Sequence, residues 1–159
     1  VYKMYIDNVK FAKSGKTING KLDLLKCERI QEIDQFSGEV SYELVGYMDT
    51  LNRPTLKLSI YGIIGTLCQN CLQPMEVTLD NQSRITVFFN EDQLDAALFA
   101  EGDSAVEDGV VAEAEFDIMQ LLEDEVIMLL PYASKHESCI GMSYHDSADN
   151  PFDILKNII

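Results

Sequence analysis

Two pairs of residues carry most of the chemistry this chain could perform. Cys68 and Cys71 form a Cys-x-x-Cys pair, and His136 and Cys139 form a His-x-x-Cys pair about 65 residues further along. Thiolate and imidazole are the ligands of structural zinc, which closes its tetrahedron with four of them. Cys68, Cys71, His136 and Cys139 are therefore a candidate zinc set. Only the first pair has the tight spacing of a metal knuckle. The alternative is that Cys68 and Cys71 are half-buried thiols at a strand end and His136 is a surface residue. A redox reading is weaker, because a thioredoxin-like Cys-x-x-Cys opens a helix inside a βαβ unit, whereas strand-like sequence follows Cys71. A zinc deaminase needs His-x-Glu ahead of Pro-Cys-x-x-Cys, and no histidine precedes Cys68. Nor is there a glycine-rich phosphate loop or a Ser/His/Asp or Cys/His set with supporting spacing. The chain reads as non-enzymatic, with a metal-dependent or redox enzyme ranked last and no small-molecule substrate evident. Cys27 stands apart as a small buried hydrophobe.

Charge narrows the partners. Among 159 residues, 12 Lys and Arg stand against 27 Asp and Glu, a formal charge of −15. Such a balance opposes unaided binding to nucleic acid and favours basic partners. Its distribution is uneven: residues 1–36 hold seven bases and five acids, whereas residues 91–125 hold thirteen acids and no base. The basic end offers Lys10, Lys13, Lys16 and Lys21 as a route to RNA. The acidic end offers residues 91–115, with Glu113 and Glu115, as a surface for a basic protein; the plainer reading is a solvated loop. No apolar run is long enough to cross a bilayer and no signal-like segment opens the chain, so it reads as cytoplasmic, with no membrane partner.

The elements that must position these residues follow from period and punctuation. Residues 39–48 and 55–66 alternate apolar and polar side chains around Asp49-Thr50-Leu51-Asn52-Arg53-Pro54, which predicts a long antiparallel hairpin. The Cys knuckle follows it. Residues 75–79 and 84–89 predict a further strand, interrupted by the turn formers Asp80-Asn81-Gln82-Ser83. A short strand is expected over 17–24 and a helical turn over 27–33. Residues 91–115, rich in carboxylate and punctuated by Gly102 and Gly109, predict a mobile acidic loop with one helical turn near 94–99. Asp117 caps a helix over 118–130, with Gln120 as the returning partner of a capping box and Pro131 as its stop. On that helix Ile118, Leu121, Leu122, Val126 and Leu129 form one stripe with Glu125 in its middle. A buried carboxylate needs backbone N–H groups or a cation such as Arg84, so Glu125 reads as a structural clasp rather than a catalytic acid. The fold class is α+β: an antiparallel sheet with one long helix, 118–130, packed on it and short peripheral helices. One domain spans 1–144, and 145–159 form a C-terminal tail whose Phe152 and Leu155 either dock on the sheet or meet a partner groove.

Four features in order carry a family resemblance. They are Cys68-Gln69-Asn70-Cys71 with Pro74 before strands; Phe116-Asp117-Ile118 opening a helix that ends at Leu130-Pro131; His136 with Cys139; and Asn150-Pro151-Phe152 with Leu155-Lys156. Over roughly residues 36–159 this order resembles the bacterial YceD family, the large ribosomal RNA subunit accumulation proteins. The resemblance implies a role in synthesis, processing or stability of 23S ribosomal RNA. Family members with a second Cys-x-x-Cys look like zinc binders; this chain has His136 and Cys139 at that place.

Charge modifies that expectation. An RNA-recognition sheet shows exposed aromatics beside Lys and Arg, and the sequence presents no such motif. The expected function is a non-enzymatic factor of large-subunit biogenesis that binds a basic ribosomal protein or assembly factor, with 23S rRNA as a further partner. The alternative is a direct RNA-binding module using the basic N-terminal segment.

Overall fold

The computed structural model describes residues 3–100, 102, 106–131 and 133–136. In chain order the elements are β1 (Tyr5–Ile6), α1 (Asn8–Ser14), β2 (Thr17–Asp23), a 3-10 turn (Leu24–Lys26), α2 (Glu28–Gln31), β3 (Ser37–Met48), β4 (Pro54–Leu67), β5 (Pro74–Phe88), α3 (Glu91–Leu98), β6 (Asp108–Val111), β7 (Phe116–Asp117) and α4 (Ile118–Leu129). The fold is mixed α+β. Five strands form one sheet in the order β2-β3-β4-β5-β6, and β1 pairs with β7 in a separate two-stranded ribbon.

The β3/β4 hairpin forms as its alternation predicts, with Leu44 opposite Leu58 and Tyr42 opposite Ile60. Its turn is stitched by Asp49, whose Oδ1 accepts from the N–H of Leu51 and Arg53 at 3.0 and 2.8 Å. Val40, Tyr42, Leu44, Leu56, Leu58, Ile60, Ile64, Leu79, Ile85 and Val87 face one core from β3, β4 and β5. α1 lies against that face where β3 has Gly46: a Cβ there would collide with the Phe11 carbonyl and lie 2.7 Å from Ala12 Cα. The glycine lets helix backbone rest on strand backbone. The helix α1 itself is absent from the sequence expectations. Asp7 caps it by accepting from Lys10 N–H at 3.0 Å, and Gly15 ends it at φ 65°, a start and stop that the short segment did provide.

Expectations for β5, the sheet and the acidic stretch are corrected. β5 runs unbroken over 15 residues: Asp80, Asn81, Gln82 and Ser83 pair with Tyr61, Ile60, Ser59 and Leu58, because a strand held by a full-length partner on one edge overrides weak local propensity. The sheet is not wholly antiparallel, since β6 pairs parallel to β5; α3 and its flanks supply the dozen or more residues that a parallel crossover needs. The acidic stretch 91–115 is consequently not one loop. Asn90 caps α3 by accepting from Gln93 N–H at 2.8 Å, and Leu94 of α3 packs on Gly109 and Phe88.

α4 has 12 residues, about three turns, so it is not a long helix. Asp117 Oδ1 accepts from Met119 and Gln120 N–H at 3.0 and 3.3 Å, and the helix stops with Leu130 extended ahead of Pro131, as the residue before proline prefers. Ile118, Leu121, Leu122 and Val126 join the sheet's core. The N-terminus is tied to the same region by Asn8, fully buried, whose amide donates to Val111 O at 3.0 Å and accepts from Glu113 N–H at 2.9 Å. No described helix is long and apolar enough to cross a membrane.

Candidate metal centre and charged surfaces

The connection from β4 to β5 is the knuckle. Cys68 N–H donates to Gln73 O at 2.9 Å and Leu72 N–H donates to Cys68 O at 2.8 Å, while Leu72 takes φ 60°. That left-handed residue costs roughly 1–2 kcal/mol and turns the chain so that Cys71 comes back beside Cys68. Residues 133–136 are pinned against it by Gln69 N–H donating to Ser134 O at 2.7 Å. His136 then lies with Nε2 3.2 Å from Pro74 O and Nδ1 3.4 Å from Cys71 Sγ. A carbonyl only accepts, so Nε2 carries the proton and Nδ1 presents its lone pair to the thiol.

The ligand atoms of Cys68, Cys71 and His136 all lie within 4.8 Å of one another. Tetrahedral zinc with Zn–S of ~2.3 Å and Zn–N of ~2.0 Å separates its ligand atoms by roughly 3.5–3.8 Å. The three donors could hold one metal ion if the pairs closed by about 1 Å, and Pro74 O already orients the imidazole as a carbonyl does for a zinc-bound histidine. Cys68 is buried and Cys71 half-buried. Cys139, the fourth expected ligand, lies outside the described residues, as do Phe152 and Leu155. Cys27 is not part of the centre: burial, with Glu123 and Asp23 nearby, pushes its thiol up to about 11, and its Sγ donates to Asp23 O at 3.4 Å.

Glu125 is buried at 8 % exposure, and its Oε2 accepts from Ser83 Oγ at 3.0 Å. The expected cation is not there. Strand alternation points Ser83 toward α4 and turns Arg84 to the opposite face of β5. Burial raises the Glu125 carboxyl above its ordinary 4.5, the Ser83 bond opposes the rise, and Asp108 and Asp124 add to it.

Glu113 and Glu115 are exposed and border a groove of about 470 Å³ between the β1/β7 ribbon and α4, shared with Lys3, Tyr5, Phe116 and Asp117. Asp124, at the same groove, is engaged by Arg29 at 2.6 Å. Of the basic candidates, Lys10 and Lys13 sit on α1, Lys16 follows its cap, and Lys21 on β2 pairs with Glu39 at 3.3 Å; all four are exposed. One set of residues was missed. The sheet's outer face carries Tyr47 opposite Thr55, one step along the same face from Lys57 opposite Arg84, and further along it Tyr61, 55 % exposed, opposite Asp80, so aromatic and basic side chains share that face. The signal was the polar half of each alternation, whose neighbours only strand register reveals. No family model, no curated protein and no solved structure matches this chain.

Proposed function

We propose that this chain is a non-enzymatic factor in the synthesis, processing or stability of 23S ribosomal RNA, acting in large-subunit biogenesis by binding a basic ribosomal protein or assembly factor. The resemblance to the YceD family supplies the process. The observation that carries the mode of action is the groove lined by Glu113, Glu115 and Asp117 together with Tyr5, Phe116 and a single cation, Lys3. Carboxylates pair with Lys and Arg, and the two aromatic faces add cation–π attraction for guanidinium. Salt-sensitive, steered association is the property such a surface confers.

The knuckle serves this function as a brace. Cys68, Cys71 and His136, with Cys139 as the fourth ligand, would hold zinc. Zinc would supply a closed tetrahedral cross-link between the β4–β5 connection and the segment after α4, a structural rather than catalytic role.

The test is capture from lysate with and without RNase, using the wild-type chain, a Glu113→Gln/Glu115→Gln variant, and a variant with Lys10, Lys13, Lys16 and Lys21 changed to Gln. Capture of large-subunit proteins should survive RNase, weaken in the first variant with a flatter salt dependence, and persist in the second. Loss on RNase treatment, together with loss in the lysine variant, would favour direct RNA binding instead.

A further inference from the structure

One edge of the large sheet is open. β4 pairs with β5 in unbroken register over residues 74–86, whereas β6, on the other side of β5, pairs only with residues 85–88. Residues 74–84 thus have a strand on one edge and none on the other among the described residues. Parity fixes which backbone groups face outward. Phe88 O accepts from Ala112 N–H at 2.7 Å on the β6 side, and Pro74 O, of the same parity, is met by His136 Nε2 at 3.2 Å. A strand residue sends its N–H and C=O to the same edge, and successive residues alternate. Glu76, Thr78, Asp80 and Gln82 therefore turn their amides and carbonyls to the open edge.

All four residues are exposed, and none of their backbone N–H groups has a hydrogen bond among the described residues. Soluble proteins shield a long edge with lysine, proline or a bulge. Residues 75–83 contain no lysine, arginine or proline, and their register with β4 has no bulge. The side chains along the edge select its occupant. Glu76 and Asp80 stand on the outer face, where Asp80 is opposite the exposed Tyr61, and an added strand sets its own side chains directly across from them. A second copy joined about Leu79 would put Asp80 diagonal to Asp80 and unite two chains of charge −15, which repel. A strand carrying Lys or Arg at alternate positions meets both carboxylates instead.

We propose that the open edge of β5 takes up an extended, Lys- or Arg-rich segment of a partner protein as an added strand. The amides and carbonyls of Glu76, Thr78, Asp80 and Gln82 supply main-chain hydrogen bonds, and cations opposite Glu76 and Asp80 supply the selection. The intervening side chains of the segment fall on the inner side of the sheet beside Val77 and Leu79, which belong to the core, so apolar residues suit those positions. The proposal rests on the basic-protein reading above for the class of partner and adds the conformation in which that partner binds. The edge shares no residue with the Glu113/Glu115 groove.

The probe is an octapeptide alternating Lys and Val, titrated into the full chain and followed by two-dimensional NMR with amide hydrogen exchange. Saturable binding is expected, with exchange slowed at the amides of Glu76, Thr78, Asp80 and Gln82 and unchanged at Val77, Leu79 and Asn81, whose parity turns them to β4. N-methylation of the peptide at every Lys, or at every Val, keeps its charge; the phase whose amides face β5 should abolish binding. Glu76→Gln with Asp80→Asn should weaken binding roughly fivefold, the worth of two cross-strand ion pairs, whereas Glu28→Gln with Glu32→Gln, which removes equal charge elsewhere, should leave it unchanged. Slow exchange at the same four amides in the free chain overturns the proposal: independent of concentration, it means that the chain itself covers the edge, and growing with concentration, that a second copy does. Binding that survives both methylated peptides, or no saturation by ~5 mM peptide, also overturns it. Peptide-induced shifts confined to the Glu113/Glu115 groove overturn the edge and leave the docking reading standing.

Discussion

Replacing Ser83 by alanine and Glu125 by glutamine separates a hydrogen bond at the α4–β5 contact from the charge it holds. Glu125 is buried, accepts from Ser83 at 3.0 Å, and has Asp108 and Asp124 rather than a cation for neighbours. Burial therefore keeps its folded-state pKa above 4.5. In the unfolded chain the same carboxyl ionises near its ordinary value. The native state thus binds the extra proton, its contribution to stability is complete below that value, and it is lost as pH rises through the raised folded pKa. Glutamine keeps an oxygen that accepts from Ser83 and carries no charge. Relative to wild type, Glu125→Gln should gain stability progressively as pH rises above 4.5. Ser83→Ala removes the hydroxyl that donates to Glu125. Where Glu125 is ionised that costs about 1.5–3 kcal/mol, the worth of a hydrogen bond to a charged group, and in the Glu125→Gln background only about 0.5–1.5 kcal/mol. Each kcal/mol moves the melting temperature by roughly 2–4 °C in a chain of this size. Thermal unfolding followed by circular dichroism across the double-mutant cycle reads both effects. A Glu125→Gln variant less stable than wild type at neutral pH, with no pH dependence in the difference, would refute the reasoning.

Zinc analysis of protein purified without chelator should find about one metal per chain, and Cys68→Ser with Cys71→Ser should abolish it; metal-free wild-type protein would remove the centre. Gly46→Ala should lower stability by roughly 1–3 kcal/mol, because the new methyl overlaps helix backbone that cannot move aside; an unchanged denaturation midpoint would mean α1 does not rest on β3. Asn8→Ala strands the Glu113 N–H and Val111 carbonyl together, at a cost on the order of 2–4 kcal/mol, to be read from urea unfolding, where a loss under 1 kcal/mol would contradict the tie. After treatment with chelator, at neutral pH, iodoacetamide should label Cys71 and spare Cys27, whose raised pKa and burial withhold the thiolate; equal labelling rates by mass spectrometry would contradict this.

The elements with a strong period were legible in the sequence. The β3/β4 hairpin, the Asp117 cap of α4 and the apolar stripe around Glu125 all follow from neighbours within one turn or one strand, which is the range over which alternation and capping act. The sequence also named Cys68, Cys71 and His136 by ligand chemistry. What it could not supply was the strand register that joins residues distant in the chain. β5 overrides its turn formers because β4 pairs with it along its length. β6 is a strand because β5 offers a free edge, not because Asp108-Gly109-Val110-Val111 has a marked propensity. Glu125 meets Ser83 rather than Arg84 because a period of two sends adjacent residues to opposite faces once the register is set. The same register assembles Thr55, Lys57, Arg84 and Thr86 into one patch from two strands that local pattern treats as separate. Tertiary structure decided these points because strand pairing is a non-local interaction, whose energy appears only when both partners are present.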